Sequence, residues 1–483
     1  MPDPKESAHA PSNPNIVFII TDQMRGDCLS VSGHPVVETP NLDMLARKGI
    51  NFIASYSACP SCIAARASIF TGLRPATHGR LGYRDQVPWR YPTTLVQELS
   101  NGGYQTHCIG KTHFFPQRAH LGFQSLESYE GAQNFDGKYV NDYYEWLREM
   151  SNNRFTEFDH GVDGNSWFSR PSHLPEELHN NSWVATRAVE FLKRRDPTRP
   201  FFLNLSFHRP HPPIDPPEPF YTMYKDREIQ LPPVGDWAQE YNVPVEDMNA
   251  WCGVVPPNIL KKTMLAYYAQ IAHIDNQIGR VVIALRRLNV GPTWIIFTAD
   301  HGEMLGDHFL FRKTYAYEGS AKTPLIICPP ERLQNHVCDA PVSQQDFMPT
   351  ILDIAGLQIP ASVEGSSMLP LLSKSAREIG WRDYVHGEHS GCYHRKNGMQ
   401  FLTDGKEKYI WYTQSGKEQF FDLASDPKEL HDLANAPGIR DKLNHWRARM
   451  VAELAPRVED GLSDGKILIA GKSLPAVRPD LLK

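Results

Sequence analysis

The chain has 483 residues, of which 41% are hydrophobic and 22% charged, and its formal net charge at pH 7 is -5. Such a length suggests about three domains of ordinary size, although α/β enzymes often build one large sheet-based domain and append a smaller one. The slightly acidic charge argues against nucleic acid or an anionic membrane as a partner, so any anion site must be a local cluster of residues.

The N-terminal segment and the cysteines indicate a compartment. The first 15 residues, MPDPKESAHAPSNPN, combine proline, serine and charges without the apolar core of a signal peptide. The chain has no run of 18 apolar residues, so no transmembrane helix is expected. The eight cysteines show no regular spacing, and in a chain of this size they are typical of reduced thiols. We therefore expect a cytoplasmic protein without a membrane partner.

The first predicted element is a strand. NIVFII at 15–20 is a short, β-branched apolar run that leads into Thr-Asp-Gln, as a buried strand does before functional residues. TPNLDMLARKGINF at 39–52 predicts a helix that Asn41 caps and Gly49 ends. A period near 3.6 residues predicts a long amphipathic helix over 263–289. Further apolar runs, each of which predicts a strand, lie at 105–110, 201–207, 294–298 and 323–328.

The alternation of strands and helices predicts the fold class. We expect an α/β fold over residues 1–375, with a large, mostly parallel sheet sandwiched by helices. Short strand-like runs after residue 375 predict a C-terminal subdomain over 376–483, with a small antiparallel sheet and a helix near 438–454. Residues 115–260 are rich in proline, aromatic and charged residues, and we interpret them as long excursions that shape a substrate pocket.

Polar side chains follow several of the predicted strands. In an open, mostly parallel sheet, ligands bind beyond the carboxyl ends of the strands, so these side chains should converge at one edge. The residues at such positions are Asp22, Lys111, His113, His208, His211, Asp300 and His301. We interpret His208 as structural, because a lone histidine is more often structural than catalytic.

The segment CPSCIAARASIFTG at 59–72 admits two interpretations. As a CxxC pair, Cys59 and Cys62 would serve redox chemistry or bind zinc, but a second ligand pair with zinc spacing is not evident. The alternative is the pattern Cys-x-(Pro/Ala)-x-Arg, followed by a helix that ends in Thr-Gly. Counting back from Thr71-Gly72 selects Cys62, with Arg66 four residues later, and rejects Cys59.

This second pattern resembles the signature of the sulfatase family, a branch of the alkaline-phosphatase-like fold. Ordered agreement over much of a chain is more specific than one short motif. The Asp300-His301 pair is similar to that of choline sulfatases and phosphonate monoester hydrolases, whereas other sulfatases carry Asp-Asn there. The family-like blocks run in the family's order from about residue 15 to 435 and are NIVFIITDQ, TPNLDMLARKGINF, GKTH, RPHPP, FTADHGEMLGDH, KTYAYEGSAKTPLII, QDFMPTILDIAGL and FFDLASDPKELHDLA.

The resemblance implies a modified residue and a metal. A formylglycine-generating maturation enzyme would oxidise Cys62, and the hydrated aldehyde would be the nucleophile. One divalent ion would bind there, with Ca²⁺ the first expectation and Mn²⁺ or Mg²⁺ the alternatives. Carboxylate and amide oxygens with an imidazole suit such ions. The expected metal ligands are Asp22, Gln23, Cys62, Asp300 and His301.

The same resemblance assigns the catalytic side chains. Arg66 would lie beside the aldehyde hydrate, and Lys111 would hold the sulfate and the nucleophile. His113 would take a proton from the second hydroxyl so that sulfate can leave. His211 would hydrogen-bond the leaving-group oxygen and protonate it, while Lys313 would bind the sulfate oxygens and the leaving oxygen.

Three functions remain open from the residues. The first is hydrolysis of a sulfate monoester, either a small aryl sulfate or a glycan sulfate. The second is hydrolysis of a phosphonate monoester or phosphodiester on the same scaffold, and the third is a non-catalytic anion-binding homologue. Ala64 and Ala65 stand where the family usually has Pro and Ser, which leaves the maturation of Cys62 open. Specificity is expected from segments 78–90, 115–260 and 386–395, and a homo-oligomer is one further expectation.

Overall fold

The computed structural model describes residues 13–131, 133, 137–334 and 336–482. The strands are β1 (Asn15–Asp22), β2 (Ile50–Phe52), β3 (Ser55–Tyr56), β4 (Gln105–Gly110), β5 (Ser125–Ser128), β6 (Phe201–Pro210), β7 (Thr293–Ala299), β8 (Leu325–Cys328), β9 (Val337–Cys338), β10 (Val342–Ser343), β11 (Val385–His389), β12 (Met399–Thr403), β13 (Glu407–Tyr412) and β14 (Glu418–Asp422). The α-helices are α1 (Pro40–Lys48), α2 (Cys62–Thr71), α3 (Pro75–His78), α4 (Leu95–Asn101), α5 (Asp142–Met150), α6 (Asn180–Arg194), α7 (Glu218–Tyr224), α8 (Pro257–Arg287), α9 (Glu318–Ala321), α10 (Phe347–Ile354) and α11 (Arg440–Leu454).

The larger sheet has the strand order β5-β4-β6-β1-β7-β8-β2-β9. Its central strands are parallel, with β1 between β6 and β7 and β4 between β5 and β6. Among the described strands, β8 alone breaks this pattern, since it runs antiparallel to both β7 and β2. The predicted large, mostly parallel sheet is therefore confirmed.

Strand β1 is buried along its whole length because helices cover both faces of the sheet. Side chains alternate between the two faces, so Val17 and Ile19 enter one core while Phe18 and Ile20 enter the other. Helices α1, α6 and α8 contribute to the first core, and α2, α4 and α10 contribute to the second. Helix α2, which begins at Cys62, therefore packs over one face of the sheet through Ile63, Ala67 and Phe70.

The C-terminal part contains the predicted antiparallel sheet, in the order β11-β12-β13-β14. One face packs on α11 through Trp446, as expected. The other face shares a core with Tyr56 of β3 and with Tyr317, which precedes α9. The boundary at residue 375 remains a prediction, but this shared core ties the small sheet to the segments that carry the nucleophile.

Three local predictions need correction. Thr39, not Asn41, is the N-cap of α1, and Asn41 instead donates its side-chain amide to Asp275 in α8 at 2.8 Å. Residues 50–52 form strand β2 after the helix ends. The 115–260 stretch is more regular than predicted, because it holds the central strand β6 and the 15-residue helix α6. Within the described part of the chain, every helix is too short or too polar to cross a membrane.

Candidate active site

The polar residues at the strand ends converge as the topology predicts. Asp22 is the last residue of β1, Lys111 follows β4, and Asp300 follows β7. The loop after β6 carries His211, whose backbone N–H donates to the Asp22 carbonyl at 3.1 Å. Helix α2 places Cys62 at its first position, 1% exposed, over the same edge. Residues far apart in the chain thus share one buried site.

Four side chains form a compact group that could hold a metal ion. Ligand atoms of Asp22, Cys62, Asp300 and His301 all lie within 4.8 Å of one another, and all four residues are buried. The Cys62 sulfur lies 3.2 Å from His301 Nε2 and 3.5 Å from an oxygen of Asp22. Cys59 is buried elsewhere and is outside this group. The structure therefore brings together four of the five predicted ligands.

The His301 ring is oriented for metal binding. Its Nδ1 donates to the carbonyl of Gly302 at 2.9 Å, so Nε2 carries the lone pair and points to Asp22 and Asp300, 3.6 Å from each. Burial lowers the pKa of His301 below its usual value, which keeps the imidazole neutral. A neutral ring with a fixed tautomer is the form in which histidine binds metals.

Cations balance the two buried carboxylates. Arg66, fully buried, donates from Nε to Asp300 at 2.9 Å and from Nη1 to the Lys111 carbonyl at 2.9 Å and Ser206 at 3.0 Å. The Lys111 ammonium pairs with Asp22. Burial alone would raise the pKa of Asp22, but Lys111 and neighbouring cationic groups hold it well below its usual value. These two cations also raise the local positive potential that an anionic substrate needs.

The donor set fits a divalent cation. Two carboxylates, one neutral imidazole and residue 62 supply mainly hard ligands, as Ca²⁺, Mg²⁺ and Mn²⁺ prefer. Asp22 Oδ2 is buried and, among the described residues, makes no hydrogen bond, although Lys111 pairs with it as an ion. The Cys62 thiol marks the place where the oxygen of a converted residue would lie. Such an arrangement can neutralise negative charge on a bound ester.

Gln23, the fifth predicted ligand, lies beside this group in a left-handed backbone conformation, with φ at 66°. Its side-chain oxygen accepts from the Lys313 ammonium at 2.6 Å, and its amide nitrogen donates to Glu303. Its backbone N–H donates to Asp300 at 3.1 Å. In this arrangement Gln23 positions Lys313 and Asp300, and its role as a metal ligand stays a prediction.

His211 and Lys313 form a direct pair. The Lys313 ammonium lies 2.9 Å from His211 Nε2, while His211 Nδ1 donates to the Pro212 carbonyl at 2.8 Å. Burial and the adjacent Lys313 lower the pKa of His211 well below its usual value, so the imidazole is the acceptor. His208 packs beside His211, ring centroids 4.9 Å apart, and its Nδ1 bonds to Arg209 at 3.0 Å.

His113 is paired with a carboxylate that the sequence reasoning missed. Its Nε2 lies 3.0 Å from an oxygen of Asp85. Burial and Lys111 press the pKa of His113 downward, but the bond to Asp85 and the contact with Cys62 outweigh them and raise it. Asp85 lies within the 78–90 segment expected to shape specificity, yet a single carboxylate in a loop carries no motif that would mark it.

These side chains line a cavity of about 400 Å³. Its floor includes Cys62, Lys111, His113, His211 and Lys313. Aromatic side chains at its wall are Tyr83, Phe158 and Tyr393, and Arg312 lies beside them. Among the described residues, each of the three segments expected to shape specificity therefore contributes one of these aromatic rings. Other members of those segments point elsewhere, since Arg80 and His389 are 1% exposed and lie outside the lining.

Comparison with protein-family models identifies two matching regions. The model described as "Sulfatase" matches residues 14–357. A second model, described as "N-sulphoglucosamine sulphohydrolase, C-terminal", matches residues 306–455. Together they cover both the larger sheet and the small antiparallel sheet.

Individual relatives agree over nearly the full length. The chain is 44% identical over 475 residues to a protein named "Arylsulfatase" from Clostridium perfringens, covering 95% of this chain and 98% of that protein. It is 28% identical to the "Choline-sulfatase" of Rhizobium meliloti, covering 88% and 83%. Among solved structures, the phosphonate monoester hydrolase of Agrobacterium radiobacter has a TM-score of 0.77 at 26% identity, covering 92% of this chain and 96% of that one.

Proposed function

The chain belongs to the sulfatase family, and we propose that this sulfuric ester hydrolase acts on aryl sulfate monoesters. The observation that carries the proposal is the cavity wall, where the aromatic side chains of Tyr83, Phe158 and Tyr393 stand next to the cationic floor. A flat aryl group can stack on such side chains while its sulfate lies over the cations. The 44% identical relative named "Arylsulfatase" supports the same substrate class.

One set of side chains would act on the sulfate and the nucleophile, and a second set on the oxygen of the departing alcohol. Formylglycine made from Cys62 supplies an oxygen nucleophile, and a divalent ion held by Asp22, Asp300 and His301 would offset negative charge. Lys111 orients the sulfate near residue 62 and keeps Asp22 ionised.

Proton movements fall to three side chains. His113 lines the cavity beside residue 62 and accepts the proton from its second hydroxyl. Lys313 and His211 lie on the cavity floor as a hydrogen-bonded pair, and they deliver a proton to the departing alcohol oxygen. Positioned acid–base groups of this kind contribute about 10²–10⁴-fold to rate.

Ca²⁺ is the proposed ion. Two of the three side-chain donors other than residue 62 are carboxylates, the ligand class that Ca²⁺ favours. The imidazole of His301 is more typical of a transition metal such as Mn²⁺, so metal analysis of purified protein decides between them. A stoichiometric content of Mn²⁺ rather than Ca²⁺ would overturn this assignment.

A formylglycine-generating enzyme in the host would be needed for activity, and we propose a reducing, cytoplasmic compartment. All eight cysteines are free, and Cys28, Cys59, Cys62 and Cys108 are buried. Cell fractionation tests the compartment. Co-expression with a maturation enzyme tests the requirement, since activity and the converted fraction of Cys62 should rise together.

The substrate proposal is tested by comparing kcat/KM for 4-nitrophenyl sulfate, a glucosamine sulfate and phenyl phosphonate monoesters. The aryl sulfate should be preferred. Tyr393→Ala should raise the KM for the aryl sulfate more than the KM for the sugar sulfate. A preference for phosphonate esters would instead identify the protein as a phosphonate monoester or phosphodiester hydrolase. Absence of turnover by fully converted, metal-loaded protein would favour a binding homologue.

A further inference from the structure

His113 makes one side-chain hydrogen bond among the described residues, and it defines the protonation of the ring. Nε2 lies 3.0 Å from Asp85 Oδ1. A carboxylate ionised at neutral pH only accepts hydrogen bonds, so Nε2 carries the proton. Burial raises the pKa of Asp85, but the hydrogen bond from His113 and its other partners lower it below the usual value, so the carboxylate is charged.

The second ring nitrogen is free to act as a base. His113 Nδ1 is buried and has no hydrogen-bond partner among the described residues. The ring interacts with the Cys62 side chain, and both line the cavity floor. An unpartnered buried nitrogen costs free energy unless it has a use, which makes its placement informative.

We propose that Asp85 is a positioning residue that holds His113 in the tautomer with its proton on Nε2 and its Nδ1 lone pair directed at residue 62. The inference rests on the proposed function in one respect, the role of His113 as base. In that step the O–H bond at the residue-62 hydroxyl breaks and its electron pair stays on oxygen. The proton forms a bond to Nδ1, and the imidazolium is stabilised by Asp85, which stays ionised. The electron pair then forms the aldehyde C=O bond while the C–O bond to sulfate breaks, so that sulfate leaves with that bond's electrons.

Hydrogen bonds hold the loop that carries Asp85 at several points, as a positioning residue requires. Arg80, 1% exposed, donates from Nη2 to the carbonyls of Val87 at 3.0 Å and Pro88 at 3.1 Å, so it ties the two ends of the loop together. The C-terminal tail secures the loop from outside, because Leu81 N–H donates to the Ala476 carbonyl at 2.8 Å. The Tyr83 hydroxyl donates to the second Asp85 oxygen at 2.5 Å.

The backbone of His113 is held independently. His113 has φ at 59°, a left-handed conformation that is unfavourable for a residue with a side chain. Glu130, 2% exposed, accepts from the backbone N–H groups of His113 at 2.9 Å and Thr112 at 2.7 Å. Glu130 therefore sets where the ring is, while Asp85 sets which nitrogen is protonated. A change at Asp85 should alter the tautomer without displacing the segment.

The direct test uses ¹⁵N-histidine NMR on full-length protein produced without conversion of Cys62, so it needs no activity. Spectra are taken above the titration of the ring, which the same signals define, and His113→Gln identifies the resonance. Wild-type protein should show a protonated Nε2 and a bare Nδ1. Asp85→Asn can donate its amide to Nε2 and should shift the proton to Nδ1. Tyr83→Phe, which leaves Asp85 Oδ1 untouched, should keep the wild-type tautomer.

Kinetics of converted protein provide the second reading. Asp85→Asn should lower kcat by about 100-fold or more. A positioned base accelerates a reaction by ~10²–10⁴-fold, and most of this acceleration is lost when the base nitrogen carries the proton. KM should change little, and rapid mixing should show a burst of alcohol followed by slow turnover, since the blocked step comes after the alcohol leaves. Asp85→Glu should recover part of kcat.

A wild-type tautomer with the proton on Nδ1, or an Asp85→Asn spectrum like wild type, would overturn the inference. So would a normal kcat in a variant whose tautomer has reversed. Failure of the proposed function is recognised separately, by wild-type protein that has the proposed tautomer and full conversion but does not hydrolyse sulfate esters. Thermal melting of each variant, expected within a few degrees of wild type, excludes misfolding as the cause of a lost signal.

Discussion

The ammonium of Lys313 donates to Nε2 of His211 across 2.9 Å, while the other nitrogen of that imidazole donates to a backbone carbonyl. The lowered pKa of His211 means that the shared proton belongs to the lysine. Lys313 also donates to Gln23 at 2.6 Å, so its contacts with described residues use two of the three N–H groups of the ammonium and leave one for a ligand. We therefore propose Lys313, rather than His211 as the resemblance implied, as the source of the proton for the departing alcohol.

This pairing predicts how rate depends on the leaving group. A nitrophenolate needs little protonation on departure, whereas an alkyl or sugar alkoxide needs much. Lys313→Ala should therefore steepen the plot of log kcat/KM against leaving-group pKa, with losses of about 10²–10⁴-fold for the poorest leaving groups. His211→Ala should steepen it less, because the lysine still carries a proton.

Lys111→Ala is the matched control for that series. Lys111 pairs with Asp22 at the sulfate end of the site, so its loss should reduce kcat/KM by a similar factor for every substrate. Parallel plots for Lys313→Ala and Lys111→Ala would assign Lys313 to sulfate binding alone.

Modification of Cys62 is the second prediction. Cys62 belongs to the metal-binding group, whereas Cys59 is fully buried outside it. Peptide mass spectrometry of active protein should find the thiol-to-aldehyde mass loss at Cys62 alone. Cys59→Ala should keep most activity and Cys62→Ala should lose it, and an intact Cys62 thiol in fully active protein would contradict the assignment.

Metal binding gives the third prediction. Asp300→Asn removes one of the two carboxylates that face His301, and Arg66 loses the nearer of its two carboxylate partners. Metal content by mass spectrometry should fall from one ion per chain to a small fraction, together with activity. Asp159→Asn, which changes an exposed carboxylate, should retain both. A stoichiometric ion in folded Asp300→Asn would show that the ligand set is different.

Acid sensitivity is the fourth prediction. Burial raises the pKa of Glu388 in β11, but Arg457 more than compensates and lowers it from 4.5 to about 2. The two side chains make paired hydrogen bonds of 2.9 and 2.7 Å, and Glu388 is 1% exposed. A depressed carboxylate pKa stabilises the folded state above the unfolded pKa, and this contribution is lost as pH falls from about 4.5 towards 2. The contribution is about 3 kcal/mol at neutral pH.

The measurement is the free energy of unfolding by urea between pH 7 and pH 3. Glu388→Gln should be less stable than wild type at pH 7, and the difference should shrink steadily below pH 4.5. Glu145→Gln removes an exposed carboxylate that pairs with Arg148 and should show almost no difference at any pH. A Glu388→Gln deficit that stays constant with pH would mean that lost packing, not the ion pair, explains it.

Much of the fold follows from local patterns in the sequence. The runs at 15–20, 105–110 and 201–207 form the parallel strands β1, β4 and β6, and short runs rich in buried residues are typical of a sheet that is covered on both faces. The end of helix α1 was predictable from Gly49. Its start was not, because Thr39 and Asn41 are both acceptable caps until the contact of Asn41 with Asp275 decides between them.

The sequence by itself determined which residues could do the chemistry. The register from Cys62 to Arg66 and Thr71-Gly72, and the polar residues at strand ends, are short-range features that survive without coordinates. Parallel strands then place their carboxyl ends together by topology, so Asp22, Lys111 and Asp300 could be expected at one edge before any distance was known.

Only the tertiary structure decided how those residues are partnered. Asp85 meets His113 across 28 positions of chain, and Gln23 meets Lys313 across 290. Such contacts depend on loops whose paths are set by packing, as with Arg80 holding the loop that bears Asp85. A hydrogen bond requires a precision of a few tenths of an ångström, which only the folded chain supplies. Local sequence patterns thus identify the reactive groups, and tertiary packing determines their protonation states and orientations.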